Sequence, residues 1–140
     1  MAQVCWQGTL AGRYHIDVAL GGFRTPLMID LGLVDSAQQV GFSIQPALYD
    51  KLKQAGALGL LQTFSRMDAS GQISQTESGL VSAQLLDPAT GRPVGPAVQL
   101  YVLRGNPGVP DRVGVVFFHR LPGCRVLWAL GTRTWCIEYP

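Results

Sequence analysis

The chain has 140 residues, 47% of them apolar and only 14% charged, with a net charge of +2 and 11 basic residues scattered along it. A length of this order can bury a real core as one domain, residues 1–140. The composition excludes a disordered chain, and the scattered charge excludes a basic nucleic-acid patch or an electrostatic membrane patch. A surface this poor in charge points instead to a buried partner interface.

In chain order, Met1–Gly8 has neither a basic start nor an apolar signal core, so no export signal is expected. Residues 14–20 alternate, with Tyr14, Ile16, Val18 and Leu20 on one face, which predicts a half-buried strand. Gly21-Gly22 is a hairpin turn signal. Phe23 to Ile29 returns as a second strand and ends at Asp30. Residues 37–44 predict a third strand through Val40, Phe42 and Ile44. Residues 45–56 predict a short helix, with Pro46 at its first position, Leu48, Leu52 and Ala55 on one face and Gly56 at its exit.

Residues 57–71 look less regular, with a turn at residues 69–72. Ile73 to Leu86 is expected to be strand. The 87–93 segment, Asp-Pro-Ala-Thr-Gly-Arg-Pro, is a reverse turn that pairs this strand with residues 98–103. A Pro/Gly-rich loop covers 105–111, and the apolar run 113–118 is too short to cross a bilayer. Residues 125–139 read as strand, turn, strand. Trp6, Trp128 and Trp135 are expected in core and interface packing. Cys5, Cys124 and Cys136 are odd in number and lack CxxC spacing, so buried free thiols in a reducing cytoplasm are expected.

One segment carries chemistry. Leu27-Met28-Ile29 delivers the carboxylate of Asp30 from an apolar strand, and Gly32 follows two residues later. A carboxylate in that position needs partners, because burial disfavours its charged form. The plainer alternative for Asp30 is a turn-capping carboxylate. The segment resembles the active-site loop of the retropepsin-like aspartic peptidases, in which apolar residues precede Asp-Thr/Ser-Gly and a small residue. Asp30 and Gly32 match that pattern; Leu31 replaces the hydroxyl residue, Leu33 is larger than the usual alanine, and Val34 also departs. The order of elements around it is similar too, including a Val113-Gly114 segment before a short helix.

The resemblance implies an all-β fold, a closed acid-protease barrel with one or two short helices. It implies no cofactor, and a peptide or protein as substrate or ligand. It also implies a homodimer, because a chain with one Asp-x-Gly can build a two-carboxylate dyad only by two-fold pairing, each subunit giving its Asp30. Such a dyad shares one proton, one carboxylate acting as base and the other staying protonated. Around Asp30 the loop residues would be Leu31, Gly32, Leu33, Asp35 and Ser36. The last two are candidates for contacts to a substrate backbone or for simple turn caps. A hairpin carrying Ser70 and Gly71 would fold over the cleft as the flap.

Leu31 lacks the hydroxyl that in this family grips the two loops across the axis. Two functions therefore follow: an aspartic endopeptidase using Asp30, or a pseudo-peptidase that keeps the dimer and its cleft for peptide binding or assembly. A third possibility is an unrelated β-barrel binding module. Asp17, Asp50 and Asp111 sit in strand-edge, helix and loop contexts that suit solvated carboxylates. His15 and His119 have no ligand at zinc spacing, and no Gly-x-Ser-x-Gly turn is present. Neither a metal site nor a serine nucleophile is expected.

Overall fold

The computed structural model describes residues 2–7, 14–67, 69–129, 131 and 134–139. In chain order the elements are β1 (Ala2–Gln7), β2 (His15–Leu20), β3 (Phe23–Ile29), β4 (Val40–Ile44), α1 (Pro46–Gln54), β5 (Gly59–Met67), β6 (Ile73–Leu86), β7 (Pro93–Arg104), β8 (Arg112–Val113), α2 (Val115–His119), β9 (Arg125–Ala129) and β10 (Thr134–Tyr139).

Six strands close into a ring in the order β2-β3-β8-β4-β7-β6, with β6 pairing back to β2. The length of β6 makes this possible. Its last residues, Ala83 to Leu86, pair with β2, while Ile73 to Glu77 run beyond the pairing with β7 and, paired with β5, leave the ring as a two-stranded arm. A second sheet, β1-β10-β9, stands beside the barrel. The all-β closed barrel with two short helices is thus present as expected.

Alternation carries the core. Ile16, Val18 and Leu20 on β2 and Ala83 on β6 are fully buried, and Val81 and Leu85 nearly so, while their strand neighbours reach the surface. Gly21 and Gly22 make the β2–β3 turn at φ of +57° and +88°, a backbone that side-chain-bearing residues resist. Strand β4 is buried along its whole length. Phe42 on it meets Phe117 of α2 with ring centroids 5.5 Å apart. A five-residue helix cannot stand alone, so α2 is held by burying Val116 and Phe117, at about 1.5–3 kcal/mol for each side chain.

Several expectations need correction. Residues 59–67 form a strand, not irregular chain; most of its side chains are exposed on both faces, so it lacks the period-two apolar signal and is held by its ladder to β6. Ala55 is exposed, and Tyr49 joins Leu52 as the buried residue of α1 instead. The third strand starts at Val40, because residues 36–38 turn first. Cys5 and Cys136 are not free thiols. They face each other in the β1–β10 register, Cα atoms 4.1 Å apart, and form a disulfide; Cys124 is free and half-buried. The side chains of Trp6, Trp128 and Trp135 lie outside the described residues. No helix among the described residues is long and apolar enough to cross a membrane.

Candidate functional site

Strand β3 ends at Ile29, and Asp30 begins a tight turn outside the barrel wall. Its backbone N–H still donates to the Val113 carbonyl at 2.9 Å, which ties the turn to β8. The turn closes on itself: Leu33 N–H donates to the Asp30 carbonyl at 3.1 Å, and Gly32 N–H donates to Asp30 Oδ1 at 2.9 Å. Behind it runs Gly114, whose N–H donates to the Gly41 carbonyl at 2.8 Å. A Cβ on Gly114 would run into the Leu33 carbonyl oxygen, so only glycine lets the β8–α2 junction pass this close behind the loop.

The second oxygen of Asp30 has a partner that the loop pattern does not contain. Arg112 Nη1 donates to Asp30 Oδ2 at 2.7 Å, and the two side chains retain only 16% and 28% of their exposure. Sheet register explains the encounter. Arg112 lies opposite Met28 in the parallel β3–β8 pair and opposite Ser43 in the antiparallel β4–β8 pair. In-register neighbours project to the same face, and Asp30 lies two residues beyond Met28, on that face. Arg112 Nη2 donates to Ser43 Oγ at 3.3 Å, whereas its Nε is buried with no partner among the described residues.

Asp35 serves the loop itself. Its carboxylate accepts from the N–H groups of Gln39 and Val40 at 3.0 Å, capping the turn that leads into β4. Arg120, just past α2, donates to the Gln38 carbonyl at 2.9 Å and braces the same turn. The other carboxylates are engaged elsewhere: Asp17 with Arg24, Asp50 with Arg104, and Asp111 with the Gln45 N–H.

Gly32, Leu33, Val34, Asp35 and Ser36 line one wall of an open cleft of about 560 Å³, with Arg112 beside them. The opposite wall is Phe64 to Met67 of β5. Phe64 anchors this arm, its ring 5.5 Å from Tyr101 and packed on the small cluster of Leu33, Val40 and Leu103. Ser70 and Gly71 fall in the turn joining β5 to β6, with Gly71 at φ +84°. Leu31 is 64% exposed and is not part of the cleft lining. It lines a separate hollow of about 300 Å³ together with Ile29, Val115, Phe118, His119, Cys124 and Val126. Burial pushes the Cys124 thiol pKa above its ordinary value.

The structure therefore brings Gly32, Leu33, Asp35 and Ser36 together with the β5 arm, and it adds Arg112, which lines the same cleft and holds Asp30. The one sequence signal for Arg112 was a charged residue opening the apolar Val113-Gly114 segment. Nothing in the order of residues tied it to Asp30, which is 82 positions earlier. Among the described residues, no group of three or more His, Cys, Asp or Glu is placed to hold a metal ion.

No family model matches the chain, and no curated protein matches it. Among solved structures it is similar to the crystal structure of a retropepsin-like aspartic protease from Rickettsia conorii, at 12% sequence identity and a TM-score of 0.57. That likeness covers 99% of this chain and 90% of the other. At this identity the likeness establishes the architecture: the chain has the retropepsin-like acid-protease fold.

Proposed function

We propose that this chain is a peptide-binding pseudo-peptidase, a dimer of the acid-protease fold whose cleft holds an extended peptide without cutting it. The observation that carries this reading is the 2.7 Å contact between Arg112 and Asp30. A water-activating dyad needs two carboxylates that repel each other until one keeps a proton. With a guanidinium on each Asp30, a symmetric pair is already neutralised. Each Asp30 then has both oxygens engaged, Oδ1 by the Gly32 N–H and Oδ2 by Arg112, which leaves no free oxygen to share a proton across the axis. Leu31 removes the cross-axis hydroxyl as well. Its exposed side chain, beside an apolar hollow, suits packing against a second copy through leucine instead of hydrogen bonds.

The second reading, an aspartic endopeptidase with Asp30 from two subunits, is favoured by a different observation. Asp30 still has its Gly32 N–H contact and sits on the loop that walls the cleft opposite the β5 arm. In that case Arg112 swings off when a peptide enters. Either way the Cys5–Cys136 bridge favours an oxidising setting over the reducing cytoplasm expected from the cysteine count.

The experiment combines two measurements on the purified chain, with Asp30→Asn, Arg112→Leu and Leu31→Thr variants beside it. Retention of a mixed peptide library and its cleavage are followed from acid to neutral pH, and mass is followed by sedimentation. The pseudo-peptidase reading expects a dimer that retains peptides and leaves them intact. Cleavage by the unmodified chain that disappears in Asp30→Asn establishes the endopeptidase instead. A monomer at high concentration removes the dyad from both readings.

A further inference from the structure

The β5 wall of the cleft carries a charge that the loop does not use. Arg66 lies two residues beyond Phe64 on β5, so both side chains project from the same face of the strand. Phe64 on that face packs onto Leu33, Val40, Leu103 and Tyr101, so the face looks inward over the cleft, and Arg66 lines it. Its guanidinium has no ion-pair or hydrogen-bond partner among the described residues.

Among the described residues, the carboxylates nearby are already committed. Asp30 is held by Arg112 and the Gly32 N–H, and Asp35 by the Gln39 and Val40 N–H groups. Among its described residues the cleft thus offers one uncommitted cation with five donors, and what complements it is an acceptor brought by the ligand. The β5 wall of the cleft runs from Phe64 to Met67, so it continues on both sides of Arg66 and suits a chain that passes this point.

We infer that the cleft selects peptides carrying an acidic side chain, Asp or Glu, at the one position that passes Arg66. This selectivity rests on the peptide-binding reading above and adds a substrate class to it. A charge-assisted pair at a half-exposed site is expected to favour Glu over Gln by about tenfold. Arg66→Lys retains part of that preference, because the charge remains while the bidentate fork is lost.

The test uses positional-scanning octapeptide libraries, one amidated and one with free C-terminal carboxylates, retained on the immobilised full chain and on its Arg66→Gln and Arg66→Glu variants. Far-ultraviolet circular dichroism confirms that the variants fold. The expected result is enrichment of Glu and Asp at a single position in both libraries, lost in Arg66→Gln and replaced by Lys and Arg in Arg66→Glu. Retention with no acidic preference, or a preference unchanged in Arg66→Gln, overturns the inference while leaving peptide binding intact. Enrichment confined to the free-carboxylate library overturns it in favour of chain-end recognition. If no peptide is retained by the unmodified chain, peptide binding falls and this selectivity falls with it.

Discussion

If Arg112 holds Asp30, cutting either side of the pair should cost stability, and cutting both should cost less than the two losses combined. With charge centres about 4 Å apart and an effective dielectric near 20, the bare attraction is about 4 kcal/mol. Desolvation and the 16% and 28% exposure that remain take back more than half of it, leaving a coupling of about 1.5–2 kcal/mol. The assay is a double-mutant cycle on Asp30→Asn and Arg112→Met, read from urea midpoints at neutral pH and one fixed chain concentration, so that any self-association contributes equally to every variant. Asp30→Asn alone should cost about 2 kcal/mol, because it leaves a guanidinium with a buried, unpartnered Nε and no counter-charge. A coupling below about 0.5 kcal/mol, the limit of ordinary additivity, would refute the claim that the pair occupies the site. Asp30 would then be free for dyad chemistry.

Three further outcomes are expected. Gly114→Ala should cost about 3 kcal/mol or more in urea unfolding, since its Cβ meets the backbone carbonyl of Leu33 and neither segment can yield without moving the loop; a loss under 1 kcal/mol would show that the junction is loose. Thiol titration of the unfolded chain should find one thiol without reductant and three with it, and Cys136→Ser should cost about 2–4 kcal/mol by thermal unfolding, whereas three thiols without reductant would remove the bridge. Hydrogen bonds from Lys53 and then Tyr49 hold the Glu77 pKa below its ordinary 4.5, so its contribution to stability is complete above that value and is lost as pH falls through the lowered one. Glu77→Gln should therefore flatten the acid limb of the stability profile below about pH 4.5, and an unchanged limb would count against that pairing.

The parts of this fold legible in the sequence are those whose cause is local. Ile16, Val18 and Leu20 announce their strand because one face meets the core and the other meets solvent. Gly21-Gly22 announces its turn through backbone freedom, and Asp30 and Gly32 announce a loop by their spacing. What the sequence hid is set by partners far along the chain. Strand β5 has little apolar periodicity because, apart from Phe64, which packs on the distant Leu33, Val40 and Leu103, it buries little and is held by its ladder to β6. Cys5 and Cys136 are 131 residues apart, so only the β1–β10 register reveals them as a pair. Arg112 reads as the start of a short strand until the parallel pairing with β3 sets it beside the acid.

That last placement bears on how such a loop loses or keeps its chemistry. Changing Asp30 itself would remove the Gly32 N–H acceptor and, with it, part of what shapes the turn. A cation supplied from β8 leaves the turn intact and occupies the carboxylate's other oxygen. A loop that keeps its own backbone contacts while its acid is paired from the neighbouring strand combines an intact turn with an occupied carboxylate. Leu31 belongs to the same logic. It lines a different hollow from the cleft, so on the dimeric reading proposed above a change there bears on how two copies would meet and not on the cleft wall. Arg112→Leu and Leu31→Thr therefore probe separate requirements, charge and assembly. If the pseudo-peptidase reading is right, neither change alone should restore cleavage, and only the double variant, with Asp30 unpaired and the loops bridged again, should recover it.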